Sequence, residues 1–431
     1  MKIRFLNHAS FYIESKNIKI LTDPYLYGPV FNDGWKLLKE FDHSKYLEDI
    51  THIFFSHEHP DHFSVPFLKN INENRRKNIT IIFQKTFDKR VKKFCKNLGY
   101  EFLECESLKE YKIAQDFYFT LGKVAFFDSW INFRVDNKNI LNTNDCVLED
   151  ENVVYEIKKN IKGNIDMLFT QFSIAGHFQD TQLDDASKKC LKKIKLQDSI
   201  LKPKIIIPFA SFIYFSHEEN KYMNKGINDI ETVNKFITNN CYAKPLIVKP
   251  NELLNFNETS NEENLEFWMS IYSEINNLEY EKNSESFCIT TLLEKNNNYI
   301  KRIYEKNNKW LIYALCKIGF IKPLKIHVFD LDINFIFNIV NGLTLDKESK
   351  KSEESLHLHS NSLAYIFDYD FGFDTLIVNA RFQIIDKLKS RLTRNFMIGS
   401  IMNTGRYLKI SNFIKFMNFN LFKRFFNKIL N

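Results

Sequence analysis

Three imidazoles and the Asp61 carboxylate fall within six residues at His57-Glu58-His59-Pro60-Asp61-His62. Neutral imidazoles and carboxylates are good ligands for Zn²⁺ and Fe²⁺. Pro60 prevents regular helix across the segment, so these side chains sit on a turn. Such a turn can aim His57 and His59 at one metal and Asp61 and His62 at a second. A metal held this way lowers the pKa of bound water to about 7 and makes hydroxide at neutral pH. The competing reading is a solvent-exposed histidine-rich loop.

The elements around the turn follow from hydrophobic spacing. Short apolar runs at Lys2–Leu6, Phe11–Glu14, Ile18–Thr22, Ile53–Ser56 and Ile79–Phe83 read as strands, and the histidine turn directly follows the fourth. Phe87, Val91, Phe94, Cys95 and Leu98 recur at helical spacing, which predicts a helix from Thr86 to Leu98, capped by Thr86 and ended by Gly99. Further strands are expected near Lys123–Phe127, Asn139–Thr143, Asp166–Thr170 and Lys204–Pro208, with a charged helix over Asp184–Lys195. Strands first, then strands mixed with helices, fit a layered α/β domain over 1–250. Polar breaks at 250–264 and 345–355 set off an α+β accessory domain at 265–400. Residues 401–431 read as a basic amphipathic C-terminal helix.

Composition narrows the function. The chain has 431 residues, 44% hydrophobic, enough for two or three cored domains and too apolar for a disordered chain. The seven cysteines are scattered and form no C-x-x-C pair, which argues against a disulfide framework or an internal iron–sulfur motif and points to the cytoplasm. The N-terminus shows no apolar signal segment, and no apolar run is long enough to span a bilayer. After Asp386 come ten basic residues and no acidic one, so the net charge of +7 leaves residues 1–386 at −3. The acidic body disfavours nucleic acid as a partner. The basic segment 406–431 suits an anionic membrane surface, so a peripheral position at the inner face of the membrane is one expectation. Docking on the body or on another subunit is the other.

H-x-H-x-D-H after a strand resembles the signature of the metallo-β-lactamase fold. Asn7-His8-Ala9-Ser10 and a strand ending in Thr22-Asp23-Pro24 look like the lactonase-like branch. Asp23–Trp35, Asn144-Asp145-Cys146, Pro208–Phe212 and Tyr214–Asn220 resemble the CMP-N-acetylneuraminate hydroxylase group. Beyond 250 the best piece is Gly372–Asn379. The resemblance implies an αββα sandwich with metal at the sheet edge, followed here by the α+β extension and terminal helix. It also implies a carboxylate that bridges or completes the metal site, for which Asp145 is the candidate; a turn or cap carboxylate is the alternative. Asp23 would orient the histidine loop. His8 would do likewise, face substrate, or be structural.

Two departures from the family pattern stand out. No histidine lies between His62 and Asp145, and Pro208 is followed by Phe209 where a last histidine ligand is usual. His217 is the nearest replacement and His177 a second option. Full hydroxylases of the related group carry a Rieske module with paired Cys and His ligands, and this sequence has no such pairs. In the second half, Arg381 could bind a phosphate or carboxylate of a nucleotide sugar, or be an ordinary arginine. His357 and His359 read as structural or exposed.

The expected function is a metal-dependent hydrolase with one or two Zn²⁺, or Fe²⁺. Metal-bound hydroxide would attack an ester, amide, lactone or phosphodiester of a small, sugar or lipid-linked substrate. His57, His59, Asp61, His62, Asp145 and His217 are the ligand candidates, with Asp61 and His62 also catalytic. The alternative is a non-haem iron oxygenase acting on a nucleotide sugar or glycan precursor with a separate Rieske electron donor. A metal-free scaffold is a third reading, but it needs no such cluster of ligands.

Overall fold

The computed structural model describes residues 1–124, 127–257, 262–347 and 354–409. The chain divides into two units, Met1–Ser216 with Tyr222–Glu279, and His217–Lys221 with the chain from Tyr280 onward.

The first unit opens as an antiparallel meander of β1 (Lys2–Asn7), β2 (Ser10–Ser15) and β3 (Ile18–Thr22). The short β4 (Trp35–Leu37) and helix α1 (Ser44–Leu47) lead to β5 (His52–Phe54). Helices α2 (Val65–Asn70) and α3 (Glu73–Arg76) precede β6 (Thr80–Gln84), and α4 (Arg90–Asn97) precedes β7 (Glu101–Cys105). The sheet order is β1-β2-β3-β5-β6-β7, parallel from β3 onward. Because β1 and β3 both run antiparallel to β2, the carboxyl ends of β1, β3 and β5 share one edge.

The second sheet contains β8 (Glu110–Ala114), β9 (Phe117–Lys123), β10 (Ser129–Val135), β11 (Lys138–Asn144), β12 (Met167–Gln171) and β13 (Ile205–Phe209). β14 (Ile213–Phe215) pairs with β4, and β15 (Lys244–Pro245) closes the edge in the order β15-β13-β12-β11-β10-β9-β8. Hairpins join β8 to β11. The parallel strands that follow need crossovers, supplied by α5 (Glu151–Lys159), α6 (Leu183–Leu201) and α7 (Ile230–Asn240).

Phenylalanines weld the two sheets. Phe11 stacks on Phe169 at 4.4 Å, Phe5 meets Phe209 at 6.1 Å and Phe54 meets Phe133 at 6.3 Å. On the outer face of the first sheet Phe55, Ile81 and Phe83 pack with Phe67 and Leu68 of α2 and Val91 and Cys95 of α4. The alternation of Phe54 inward and Phe55 outward is the period-2 geometry of a strand buried on both faces. The result is the expected αββα sandwich.

Local readings shift. The helix expected from Thr86 starts at Arg90, because Lys89 is left-handed (φ +60°) and Asp88 accepts the Arg90 N–H at 3.1 Å. A strand occupies Phe117–Lys123, and the strand expected at Lys123–Phe127 falls partly on residues 125 and 126, which lie outside the described residues. The helix expected over Asp184–Lys195 runs on to Leu201. The first unit also continues past the polar break at 250, through α8 (Glu262–Ser273). Trp268 of α8 is fully buried, packs on Phe212 at 4.3 Å and donates its indole N–H to Val248 O at 2.8 Å.

The second unit is α+β. It contains α9 (Ile289–Lys306), α10 (Lys309–Lys317), β16 (Leu324–Val328), β17 (Ile333–Asn338), β18 (Gly342–Leu345) and β19 (Leu356–Leu358). Helices α11 (Ser360–Asp368), α12 (Gly372–Asn379) and α13 (Asp386–Asn403) follow. The sheet order is β18-β17-β16-β19, and its core centres on Phe337, which stacks on Phe396 at 4.8 Å. Among the described residues no helix is long and apolar enough to cross a membrane. The amphipathic helix expected over 401–431 falls mostly on residues 410–431, which lie outside the described residues.

Candidate metal centre

Every side chain of the centre leaves the carboxyl end of a strand. His8 follows β1, Asp23 follows β3, the segment Ser56–His62 follows β5, and Asp145 follows β11. His8, Asp23 and Asn144 all have left-handed backbones (φ +39°, +35° and +47°), so each of these three strands ends in a sharp turn at the site. Non-glycine residues held there carry strain, and such strain clusters at functional sites.

The histidine turn is pinned from both sides. Asp23 N–H donates to Phe54 O at 2.9 Å, and Ser56 N–H donates to Asp23 Oδ1 at 2.8 Å. The turn closes with His62 N–H on His59 O at 3.0 Å. The Ser56 hydroxyl lies 3.0 Å from His57 Nδ1 and 3.2 Å from His62 Nδ1. Asp23 Oδ2 also sits 3.2 Å from His62 Nδ1. These partners occupy the Nδ1 atoms, which leaves the Nε2 atoms of His57 and His62 facing the carboxylates. His57 Nε2 is 3.7 Å from Asp145 Oδ2, and His62 Nε2 is 3.6 Å from Asp145 Oδ1 and 3.5 Å from Asp61 Oδ2. His57 Nε2 and His59 Nδ1 converge at 2.9 Å, and His8 Nε2 lies 3.3 Å from Asp61 Oδ2.

Two groups able to hold a metal ion result, His57 with His59 and Asp145, and His8 with Asp61 and His62. Within each group the ligand atoms lie within 4.8 Å of one another. The second group is fully buried, while His59 and Asp145 of the first are only half-buried, so the first group forms the open side.

Electrostatics fit a cation. Burial lowers the pKa of His8, His57 and His59, which keeps these imidazoles in the neutral form a metal needs. Burial also disfavours charge on His62, but Asp145, Asp61 and Asp23 outweigh it and raise its pKa to about 10. Burial works against ionised Asp61, yet His62 and His8 hold its pKa well below the usual range; for Asp145 His57 and His62 do the same. Inside the site Asp61 Oδ1, His62 Nε2, Asp145 Oδ1 and His8 Nδ1 are buried without a hydrogen-bond partner. A buried polar atom left unpaired costs about 1–3 kcal/mol. All four atoms belong to residues of the two groups, where a divalent ion would find its ligands.

The structure thus gathers His57, His59, Asp61, His62 and Asp145, with Asp23 behind them. It keeps the division of the turn and completes each half: Asp145 joins His57 and His59, and His8 joins Asp61 and His62. The sequence left His8 behind the ligands, facing substrate, or structural. Its place at the end of β1, beside the end of β5, is the signal that could have found it. Ser56 was missed as the residue that locks two rings.

His217 is in neither group. It belongs to the second unit, where its ring lies 3.6 Å from Glu219 and its N–H donates to Asn220 Oδ1. His177 is half-buried in the loop after β12 and is also in neither group. At the position of the usual last histidine, Phe209 is fully buried between the sheets.

Residues 2–165 match the family described as the beta-lactamase superfamily domain. Residues 2–165 thus carry a metallo-β-lactamase superfamily domain, with two candidate His/Asp metal groups at its sheet edge. Within the superfamily the chain is distantly related to cytidine monophosphate-N-acetylneuraminic acid hydroxylases. It is 26% identical to the Xenopus laevis protein over 277 residues, covering 59% of this chain and 46% of that one. It is 27% identical to the Mus musculus protein over 278 residues, covering 59% and 47%. The chain therefore spans about half the length of the curated relatives it matches. Similar solved structures include a variant of the CmlA beta-hydroxylase, with TM-score 0.43 and 14% identity over 59% of this chain and 53% of that one. Another is the isothiocyanate hydrolase from Delia radicum gut bacteria, with TM-score 0.41 and 13% identity over 60% and 100%.

Proposed function

We propose that the chain is a dinuclear iron oxygenase that hydroxylates a small substrate. The observation that carries this reading is the donor set. Each group offers two imidazoles and one carboxylate, the set that leaves open positions on non-haem iron. The naming of its relatives as hydroxylases supports it, and makes a nucleotide-linked sugar acid the first substrate class to try.

His57, His59 and Asp145 would hold one ion, and His8, Asp61 and His62 the other. Iron, when bound, supplies the redox chemistry for dioxygen that no side chain can provide. The reaction takes the substrate, dioxygen, two electrons and two protons to the hydroxylated product and water. The electrons come from an iron–sulfur donor of the Rieske type. The chain's own residues position and protect. Ser56 and Asp23 fix the ring orientation of His57 and His62. The buried His8–Asp61–His62 side excludes water, so substrate enters past His59 and Asp145.

A second reading, metal-dependent hydrolysis, is favoured by the three imidazoles that burial keeps neutral, since they are zinc ligands as they stand. Zinc there would acidify a bound water. One experiment separates the two. The protein is loaded anaerobically with ferrous iron, or with zinc, and metal per chain is counted. Each form is then assayed with a reduced donor, a CMP-linked sugar acid and isotopically labelled dioxygen, and with ester, lactone and phosphodiester panels. Label in the product of the iron form supports the oxygenase. Hydrolysis by the zinc form with no dioxygen consumed by the iron form overturns it.

A further inference from the structure

Helix α10 of the second unit is apolar on both sides. Ile312 is fully buried, and Leu315 and Cys316 pack on the unit's core. The opposite face presents Trp310 (79% exposed), Tyr313 and, just past the helix, Ile318 (75% exposed). A helix of a water-soluble surface carries polar residues there, and an apolar outer face marks an interaction site.

Charge says what the partner is. Residues 306–329 hold five lysines (Lys306, Lys309, Lys317, Lys322 and Lys325) and no Asp or Glu. A longer acid-free stretch, 387–431, holds ten basic residues. The two stretches meet at the start of α10. Asn308 N–H donates to Leu408 O at 2.8 Å, and Leu408 N–H donates to Asn307 Oδ1 at 2.7 Å.

We propose that the outer face of α10 docks on an anionic lipid bilayer. Covering the face with the chain's own residues 410–431, or with the same face of a second copy, would set lysine against lysine or arginine. Nucleic acid would answer the lysines but give Ile318 nothing apolar. An anionic bilayer answers both: its headgroups attract the lysines, and its interface accepts Trp, Tyr and Ile side chains. The basic residues that follow Leu408 add a second attraction of the same sign.

Tryptophan fluorescence tests the proposal on the full-length protein. Of the four tryptophans, Trp35, Trp130 and Trp268 are buried, so solvent-sensitive emission reports Trp310. The protein is mixed with phosphatidylcholine vesicles with or without phosphatidylglycerol. The expected result is co-sedimentation and a blue shift with phosphatidylglycerol vesicles only, both reversed by salt. A Trp310→Ala/Ile318→Ser variant changes only exposed positions and should bind roughly tenfold or more weakly, with unchanged circular dichroism. Failure to bind anionic vesicles overturns the proposal. So does equal binding by the double variant, which would assign binding to another surface. Acrylamide that fails to quench Trp310 without lipid also overturns it, because the face would then be covered by the chain itself or by a second copy.

Discussion

Each unit buries histidine beside carboxylate, but the two clusters are finished differently. In the second unit Arg381, only 1% exposed, donates Nε to Glu219 Oε2 at 2.8 Å and Nη2 to Asn283 Oδ1. Glu219 Oε1 accepts from Asn283 at 2.6 Å, and Asn220 donates to Asn379 O at 2.6 Å. His359 caps α11 by accepting the Asn361 N–H at 3.0 Å, and Asp330 accepts from Ser360 at 2.6 and 2.8 Å. Among the described residues no buried side-chain atom of this cluster lacks a hydrogen-bond partner. In the first unit Asp61 Oδ1, His62 Nε2, Asp145 Oδ1 and His8 Nδ1 do lack one. A cluster that satisfies itself is framework. A cluster that leaves buried atoms unpaired bears their cost for something that binds there. Of the two readings of Arg381, the ordinary arginine fits this contrast, because its guanidinium is engaged by Glu219 and Asn283.

The contrast can be broken at either end. The largest effect is expected from His57→Ala/His59→Ala, which removes both imidazoles of the open group. Metal content should fall by about one ion per chain, with activity abolished and the circular dichroism kept. Full metal retention would sink the assignment of that group. Next, Arg381→Ala should destabilise the second unit by about 3–5 kcal/mol in denaturant unfolding, because Glu219 is left buried without its cation. Its metal content should not change, and a loss of metal would erase the distinction between the clusters. Ser56→Ala should weaken metal affinity about 10–100-fold by freeing the rings of His57 and His62, as read by competition with a chelator. Wild-type affinity would show that the hydroxyl does not orient them.

The smallest effect concerns pH. Burial lowers the pKa of His217 to about 3, with Arg381 and His359 adding to the shift. An unfolded histidine titrates near about 6.5, so below that pH the unfolded chain takes up a proton that the folded ring refuses. The stability His217 contributes is therefore fully present above about 6.5 and is lost as pH falls toward 3. His217→Gln should flatten this acid limb in thermal melts. An unchanged limb would mean that His217 is not held neutral in the fold.

Much of the centre was legible one residue at a time. The spacing of His57, His59, Asp61 and His62, with Pro60 between them, is local chemistry, and the strands before them follow from short-range alternation. A layered α/β domain was legible in the mix of strand and helix spacing, and the αββα sandwich in the family resemblance. Helix starts were less so: whether Thr86 or Asp88 begins α4 depends on one left-handed residue, Lys89, which no periodicity marks.

What only the tertiary structure decided is which distant residues come together in each candidate metal group. His8 lies 53 residues from Asp61, and Asp145 lies 88 from His57, and nothing in local spacing pairs them. Parallel strand direction brings the ends of β1, β3 and β5 to one edge, and packing of the second sheet adds the end of β11. For the same reason His217 lies in neither candidate group. Its neighbours in sequence continue a strand of the first unit, but its backbone bridges Glu281 and its ring is held by the second. Residue type and spacing determine that a ligand exists, since that is chemistry of the side chain. Its partners are determined by strand order, since that is the geometry of the whole sheet.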